Sequence, residues 1–224
     1  MNLVLSEAFV AGTDAWLLNN DLYFSSGWYE SLAVLDSCIS SPITNRERSY
    51  DVGSWKTSLV MGIDDLVGNE PLFGLIAEEH ARRYKGTLQV LALPFACVRI
   101  PYEIITRVGL LDEAYGAGGG EDYDYCMRVY LEGFSVAYAL GSYVLHFGGK
   151  SSYDGVEDYM RQHAREALFK NYFRKRWGDM LADVVMEEKL EVVQNDHALM
   201  TLIKEGRHAD VIRRCMINSG GAGS

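Results

Sequence analysis

The chain has 224 residues, enough for one well-packed domain and tight for two. Its 48% hydrophobic and 23% charged residues are the composition of an ordinary globular protein. The 31 acidic against 21 basic residues leave a net charge of −10, which argues against nucleic-acid binding, because phosphate backbones need clustered Lys and Arg.

In chain order, Ala15-Trp16-Leu17-Leu18 is a short apolar run that stops at Asn19-Asn20-Asp21, as a buried strand ends at a polar site. Leu22-Tyr23-Phe24 leads into a turn at Ser25-Ser26-Gly27, and Trp28 to Leu35 reads as helical. Residues 40 to 69, rich in Ser, Gly and Asp with little period, read mostly as loop. Pro71 suits the first turn of a helix running to about Lys85, and Gly86 suits its end. Leu88 to Ile100 is strongly apolar and predicts one or two strands, followed by a short helix from Tyr102 to Val108.

Tyr115-Gly116-Ala117-Gly118-Gly119-Gly120-Glu121-Asp122 is a glycine loop whose backbone can approach a ligand closely. Tyr123, Cys126, Met127, Tyr130 and Leu131 then mark an amphipathic helix ended by Gly133. Phe134 to Leu140 and Ser142 to His146 are two strand candidates. Asp154 and Glu157 fit a capping box for a long helix to about Trp177, with Gly178 as its stop. Lys170, Arg174, Lys175 and Arg176 complement the dipole of its last turns. Residues 180 to 215 read as helical, and Asn218 to Ser224 as a flexible tail.

Strands alternate with helices, so the expected class is α/β, with ligands at the carboxyl ends of strands. The polar clusters at 19 to 21, 118 to 122 and 146 all suit that place. Cys38, Cys97, Cys126 and Cys215 are widely spread without a C-x-x-C pair, so reduced thiols and a cytoplasmic setting are the expectation. No run of about eighteen apolar residues predicts an integral membrane segment, and the first residues lack the pattern of a signal peptide.

Taken singly, Asp21 reads as a turn residue, Glu121-Asp122 as a helix start and His146 as a core histidine. Taken together, an oxygen-rich cluster, an acidic pair on a glycine loop and one His can converge on a divalent metal and a diphosphate. The metal would stabilise a leaving diphosphate, and a facing carboxylate would take a proton from an acceptor hydroxyl.

At this point the chain resembles a known family. Trp16 to Asp21 with Gly27-Trp28 is similar to the segment of inverting GT-A glycosyltransferases that carries the Asp-x-Asp-type metal motif. Pro94 to Pro101, then Val108 to Glu113, resembles the stretch before the family's acidic loop. Gly118 to Arg128 resembles that loop and its helix, and Gly133-Phe134 through His146 to Ser151 the closing strands with the metal-binding His. Lys175-Arg176-Trp177-Gly178 is similar to a segment past the core, so the match runs in order from about Asn19 to Gly178.

The resemblance implies a GT-A-like mixed sheet flanked by helices (1–150), a helical C-terminal extension (151–217) and a tail (218–224). It implies that Asp21 and His146 hold Mn2+ or Mg2+, with Asn19 and Asn20 beside them; Asn19 stands where the family often has Asp. It makes Asp122 the catalytic base, with Glu121 helping to position the acceptor or base, and ranks Asp124 below Asp122 as base because it lies further into the helix. It lets Gly118, Gly119 and Gly120 admit sugar or diphosphate. Lys150 and Arg128 are candidates to touch the diphosphate, and Tyr23, Trp28, Tyr115 and Tyr153 to stack on a sugar.

The implied reaction is an inverting, hexosyltransferase-like transfer from a nucleotide-sugar donor, a UDP-sugar by expectation, to a carbohydrate or glycan acceptor. The family places a nucleotide-binding half before the metal motif, whereas eighteen residues precede Asn19 here. A natural minimal form, a truncated product, a partner chain or second copy (as in a homodimer), or a permuted segment would each account for that. A partner-dependent or inactive binding module and a metal-dependent hydrolase are the competing readings.

Overall fold

The computed structural model describes residues 1–45, 63–116, 119–147, 159–187 and 189–219. The chain opens with α1 (Asn2–Ala11), closed by Gly12 in the left-handed conformation at φ 68°. There follow β1 (Ala15–Leu18), β2 (Leu22–Phe24), α2 (Glu30–Ala33), β3 (Cys38–Thr44), α3 (Ile63–Leu66) and α4 (Glu70–Arg83). Then come β4 (Thr87–Gln89), β5 (Cys97–Ile100), α5 (Tyr102–Val108), a single 3-10 turn (Glu113–Tyr115), α6 (Glu121–Leu131) and β6 (Ser135–His146). The rest is helical: α7 (Tyr159–Trp177), α8 (Asp179–Val185), α9 (Leu190–Asn195), α10 (His197–Lys204) and α11 (His208–Ser219). The expected capping box at Asp154 and Glu157 and the tail from 220 lie outside the described residues. α11 runs on through Ser219, past the expected start of the tail.

The class is α/β, as the alternation predicted, and the sheet is mixed and flanked by helices, as the resemblance implied. Its order is β1-β5-β3-β6-β2, with β4 also on β6. β1, β3 and β6 run one way and β2, β4 and β5 the other, so β3–β6 is the parallel pair. β3 corrects the reading of residues 40 to 69 as loop from their start: all seven of its residues are buried. It lies between β5 and β6, and its Ser40, Ser41 and Pro42 conceal a strand that has no solvent-facing side. Pro42 is tolerated because the β3–β6 register breaks immediately after it.

The same break corrects the expectation of two strands after Gly133. Pro42 pairs with Ala139 but Ile43 with Tyr143, so β6 is one strand from which Leu140, Gly141 and Ser142 bulge. The bulge is held on both sides. The Leu140 N–H donates to Gly86 O at 3.0 Å, His80 Nε2 lies 2.8 Å from Leu140 O, and the Ser142 hydroxyl donates to Trp28 O. The bend lets one strand serve β4 with its first half and β2 with its last.

Helices cover the sheet with a single hydrophobic core that runs from Leu5 in α1 to Cys215 in α11. α6 is buried on more than one face. Cys126, Met127 and Tyr130 point inward as its pattern predicted, but Tyr125 and Val129 are also buried, while Leu131 is exposed. β5 carries a buried Arg99, whose Nε donates to Asp14 Oδ2 at 2.8 Å and whose Nη1 donates to the carbonyls of Leu32 and Leu35. All four cysteines are free thiols in the interior. Among the described residues no helix is long and apolar enough to cross a membrane.

Candidate functional site

Because β1, β3 and β6 run in one direction, their carboxyl ends at Leu18, Thr44 and His146 lie along one margin of the sheet. The starts of β2 and β5 complete that margin, since Leu22 pairs with His146 and Leu18 with Cys97. The Asn19 N–H donates to Ala96 O at 2.8 Å, and the Phe147 N–H donates to Asp21 O at 3.0 Å. Three residues, Asn19-Asn20-Asp21, therefore bridge from the β1–β5 pair to the β2–β6 pair. A strand that stops and a strand that starts within three residues leave polar side chains at the mouth.

Asp21 and His146 meet there. His146 Nε2 lies 3.4 Å from Asp21 Oδ1, and the Asp21 side chain is only 8% exposed. Asp21 Oδ1 receives no hydrogen bond from the described residues, an uncommon state for a buried carboxylate oxygen. The His146 backbone N–H donates to Asn45 Oδ1 at 2.7 Å, which fixes the end of β6 against the end of β3. A cavity of about 450 Å³ opens beside Asp21.

Asp122 approaches the same margin from the first turn of α6. Its Oδ2 accepts from the Phe95 N–H at 3.3 Å, one residue before the carbonyl that holds Asn19, and its Oδ1 accepts from the Tyr123 N–H at 2.8 Å. Burial, with the neighbouring Glu121 carboxylate second, pushes its pKa up to about 7. Glu121 turns back on the loop, its Oε2 accepting from the Gly119 N–H at 2.7 Å. The glycines here have a packing reason as well. Gly119 has φ 144°, and the ring of Phe169 in α7 fills the space where a Cβ would stand, 2.3 Å from it. Gly120 has φ 85°, with Tyr115 2.9 Å and Met186 3.0 Å from where its Cβ would stand.

Asp124, one turn into the same helix, is fully buried and bonded at both oxygens. It accepts from Tyr115 Oη at 3.3 Å, Arg128 Nε at 2.9 Å and Trp177 Nε1 at 2.9 Å, and Arg176 Nε lies 3.0 Å away. Arg128 also donates to the carbonyls of Val108 and Leu110, which cap α5. Arg176 pairs with Asp112 too. The Arg176-Trp177 pair and Arg128 thus sit in a structural lock between α6 and α7.

Asn19, Asn20, Asp21 and His146 stand at this margin; Asp122 is tied to it through the Phe95 amide, and Glu121 faces the Gly119 amide. Gly118, Lys150 and Tyr153 lie outside the described residues. Trp28 stacks on Phe24 with ring centres 4.6 Å apart, and Tyr115 packs edge-on to Tyr172. Sequence reasoning missed Asn45 and the backbone of Phe95, for which the only signal is position at a strand end. Among the described residues no three His, Cys, Asp or Glu side chains form a group around one point.

No family model matches the chain, and no curated protein matches it. Among solved structures it is similar to the crystal structure of GalNAc-T7 with UDP, GalNAc and Mn2+, at 13% identity and a TM-score of 0.43. The likeness covers 84% of this chain and 36% of that one, so the chain spans about a third of that protein's length.

Proposed function

We propose that the chain is a metal-dependent glycosyltransferase of the inverting GT-A type, moving a hexose from a UDP-sugar to an acceptor hydroxyl. The observation that carries this reading is one sheet margin holding a buried carboxylate oxygen without a hydrogen bond, a histidine beside it, and a carboxylate whose pKa burial has pushed up to about 7. The ordered resemblance from Asn19 to Gly178 supports it independently.

The residues present fit a hard divalent cation. Asp21 Oδ1 receives no hydrogen bond from the described residues, and His146 Nε2, 3.4 Å away, is close enough to share a ligand with it. Two protein ligands leave coordination positions for phosphate oxygens, the habit of Mg2+ and Mn2+ sites. Asp21 and His146 would hold the ion, and when bound it supplies Lewis-acid stabilisation of the leaving diphosphate. Asn19 and Asn20 offer amide groups to the donor from the bridging segment. Glu121 shapes the loop through Gly119 and keeps the Asp122 proton affinity high. Asp122 takes the acceptor hydroxyl proton as the oxygen bonds the anomeric carbon and the bond to the diphosphate breaks, in one displacement with inversion. A base whose pKa lies near neutrality is well matched to that transfer.

The test is calorimetric titration with UDP, GDP and dTDP, with and without Mn2+, on the native chain and on Asp21→Ala. UDP should bind only with Mn2+, and Asp21→Ala should abolish that binding. Metal-independent binding, or none by any nucleotide, removes the reading. One observation favours the partner-dependent module instead. Among the described residues β1 pairs with β5 alone, and α1 beside it exposes Leu3 and Val10. Sedimentation at micromolar concentration decides: a monomer that binds UDP and Mn2+ unaided rules the module out.

A further inference from the structure

A second cleft lies away from the margin, at the other end of β2 from Asp21. Its volume of about 460 Å³ is within the range of small-molecule sites. Gly74, Ala77 and Ala81, on one face of α4, form one wall, and the segment from Ser25 to Ser31 forms the other. Gly74 stands inside a helix, where glycine is disfavoured, and a Cβ added to it would meet nothing within 4 Å. The helix gives up propensity there, and what it keeps is the opening. Glu30, Glu78 and Lys85 line the cleft, and their side chains form no hydrogen bond or ion pair with the described residues. Ser31 Oγ is buried in the lining and also lacks a hydrogen bond to them. Trp28 adds aromatic surface, held by Phe24 stacked on it and Trp16 edge-on.

What each of these groups can do defines the occupant. Two carboxylates accept hydrogen bonds from hydroxyls, the ammonium and the Ser31 hydroxyl donate to them, and an indole covers the C–H side of a ring. A ligand of either charge meets a like charge in the lining, whereas a neutral ligand dense in hydroxyls satisfies both signs. We infer that the cleft is a second binding site, for a neutral pyranose sugar, set apart from the reaction margin. It uses no residue of that margin and goes beyond the transferase reading without resting on it.

The full chain is titrated with chitotriose, cellotriose and maltotriose, followed by saturation-transfer NMR of the sugar protons. At least one should bind with a Kd of about 1 mM or tighter. Gly74→Leu should weaken that binding about tenfold or more, by placing a side chain where the ring sits. Its melting temperature should hold or rise by about 2–4 °C, since a helix former replaces glycine. Glu78→Gln, which breaks no bond in the free protein, should weaken binding about threefold or more. Asp21→Ala should leave it unchanged. Binding of none of the sugars, binding that Gly74→Leu leaves intact, or binding that Asp21→Ala abolishes overturns the proposal; the last result puts the sugar at the margin. Spermidine or citrate binding more tightly than the sugars overturns it in favour of an ion. Mn2+-dependent UDP binding by the parent and by Gly74→Leu is measured alongside and should be equal. Its absence from both, with sugar binding intact in the parent, removes the transferase reading and leaves the sugar site. Its presence without sugar binding removes the sugar site alone.

Discussion

Asp122 and Asp124 stand two residues apart at the start of α6, and their surroundings are opposite. Asp124 has no exposed surface and is bonded to Tyr115, Arg128, Arg176 and Trp177. Asp122 accepts from two backbone N–H groups, faces Glu121, and has no Lys or Arg bonded to it among the described residues. A carboxylate bonded at both oxygens, with side chains of other elements among its partners, is committed to holding helices together. A carboxylate that is half-buried and under-supplied keeps a high proton affinity, which suits it to taking up a proton. The two are neighbours in the chain, so the difference is created by what the fold brings to each.

The sharpest way to break this contrast is to remove each carboxylate separately. Asp122→Asn should lower sugar transfer by about 10²- to 10⁴-fold, the usual worth of a positioned base, while Mn2+-dependent UDP binding persists. A variant that transfers at the parental rate strips Asp122 of the role. Asp124→Ala should instead cost about 3–5 kcal/mol of stability in urea unfolding, because two guanidinium groups lose their buried partner. A cost under about 1 kcal/mol would mean the lock is not structural.

A smaller effect tests the loop between them. Gly119→Ala should destabilise by about 1–3 kcal/mol, through the collision with Phe169 and the disfavoured φ. Adding Phe169→Leu to Gly119→Ala should restore part of that loss; if it restores none, the ring is not the cause. The smallest effect is a pH dependence. The Asp122 pKa rises from an ordinary 3.8 to about 7 on folding, so the native state binds its proton more tightly than the unfolded chain. Its contribution to stability is complete below pH 3.8 and is lost as pH rises through about 7. Asp122→Asn should therefore gain a few degrees of melting temperature over the parent between pH 5 and 8, and a flat difference would contradict the shift.

Much of the margin was legible because strand ends are written locally. The apolar run Ala15–Leu18 stops where β1 stops, Pro101 begins α5, and the interruption at Gly141 marks the β6 bulge even though it was read as a gap between strands. β3 was illegible because a strand buried on both sides, with Ser40, Ser41 and Pro42 in its middle, shows neither alternation nor a continuous apolar run. The helical pattern of α6 showed one apolar stripe. It could not show that Asp124 is buried as well, since that follows from Trp177 arriving from 53 residues further on. Within the site, Asp21, Asp122 and His146 carried a signal by residue type. Asn45 and the Phe95 amide matter through tertiary proximity alone.

α7 supplies Phe169 against Gly119 and the Arg176-Trp177 pair against Asp124. The loop and this helix therefore share one opening event. If α7 lifts away, the start of α6 loses its packing and its bonds together, so the amides of residues 119 to 124 should exchange with deuterium in step with those of the last turns of α7. The helical segment is then a clamp on the lifetime of the loop's shape, and a protein trimmed before α7 would surrender that shape along with the helix.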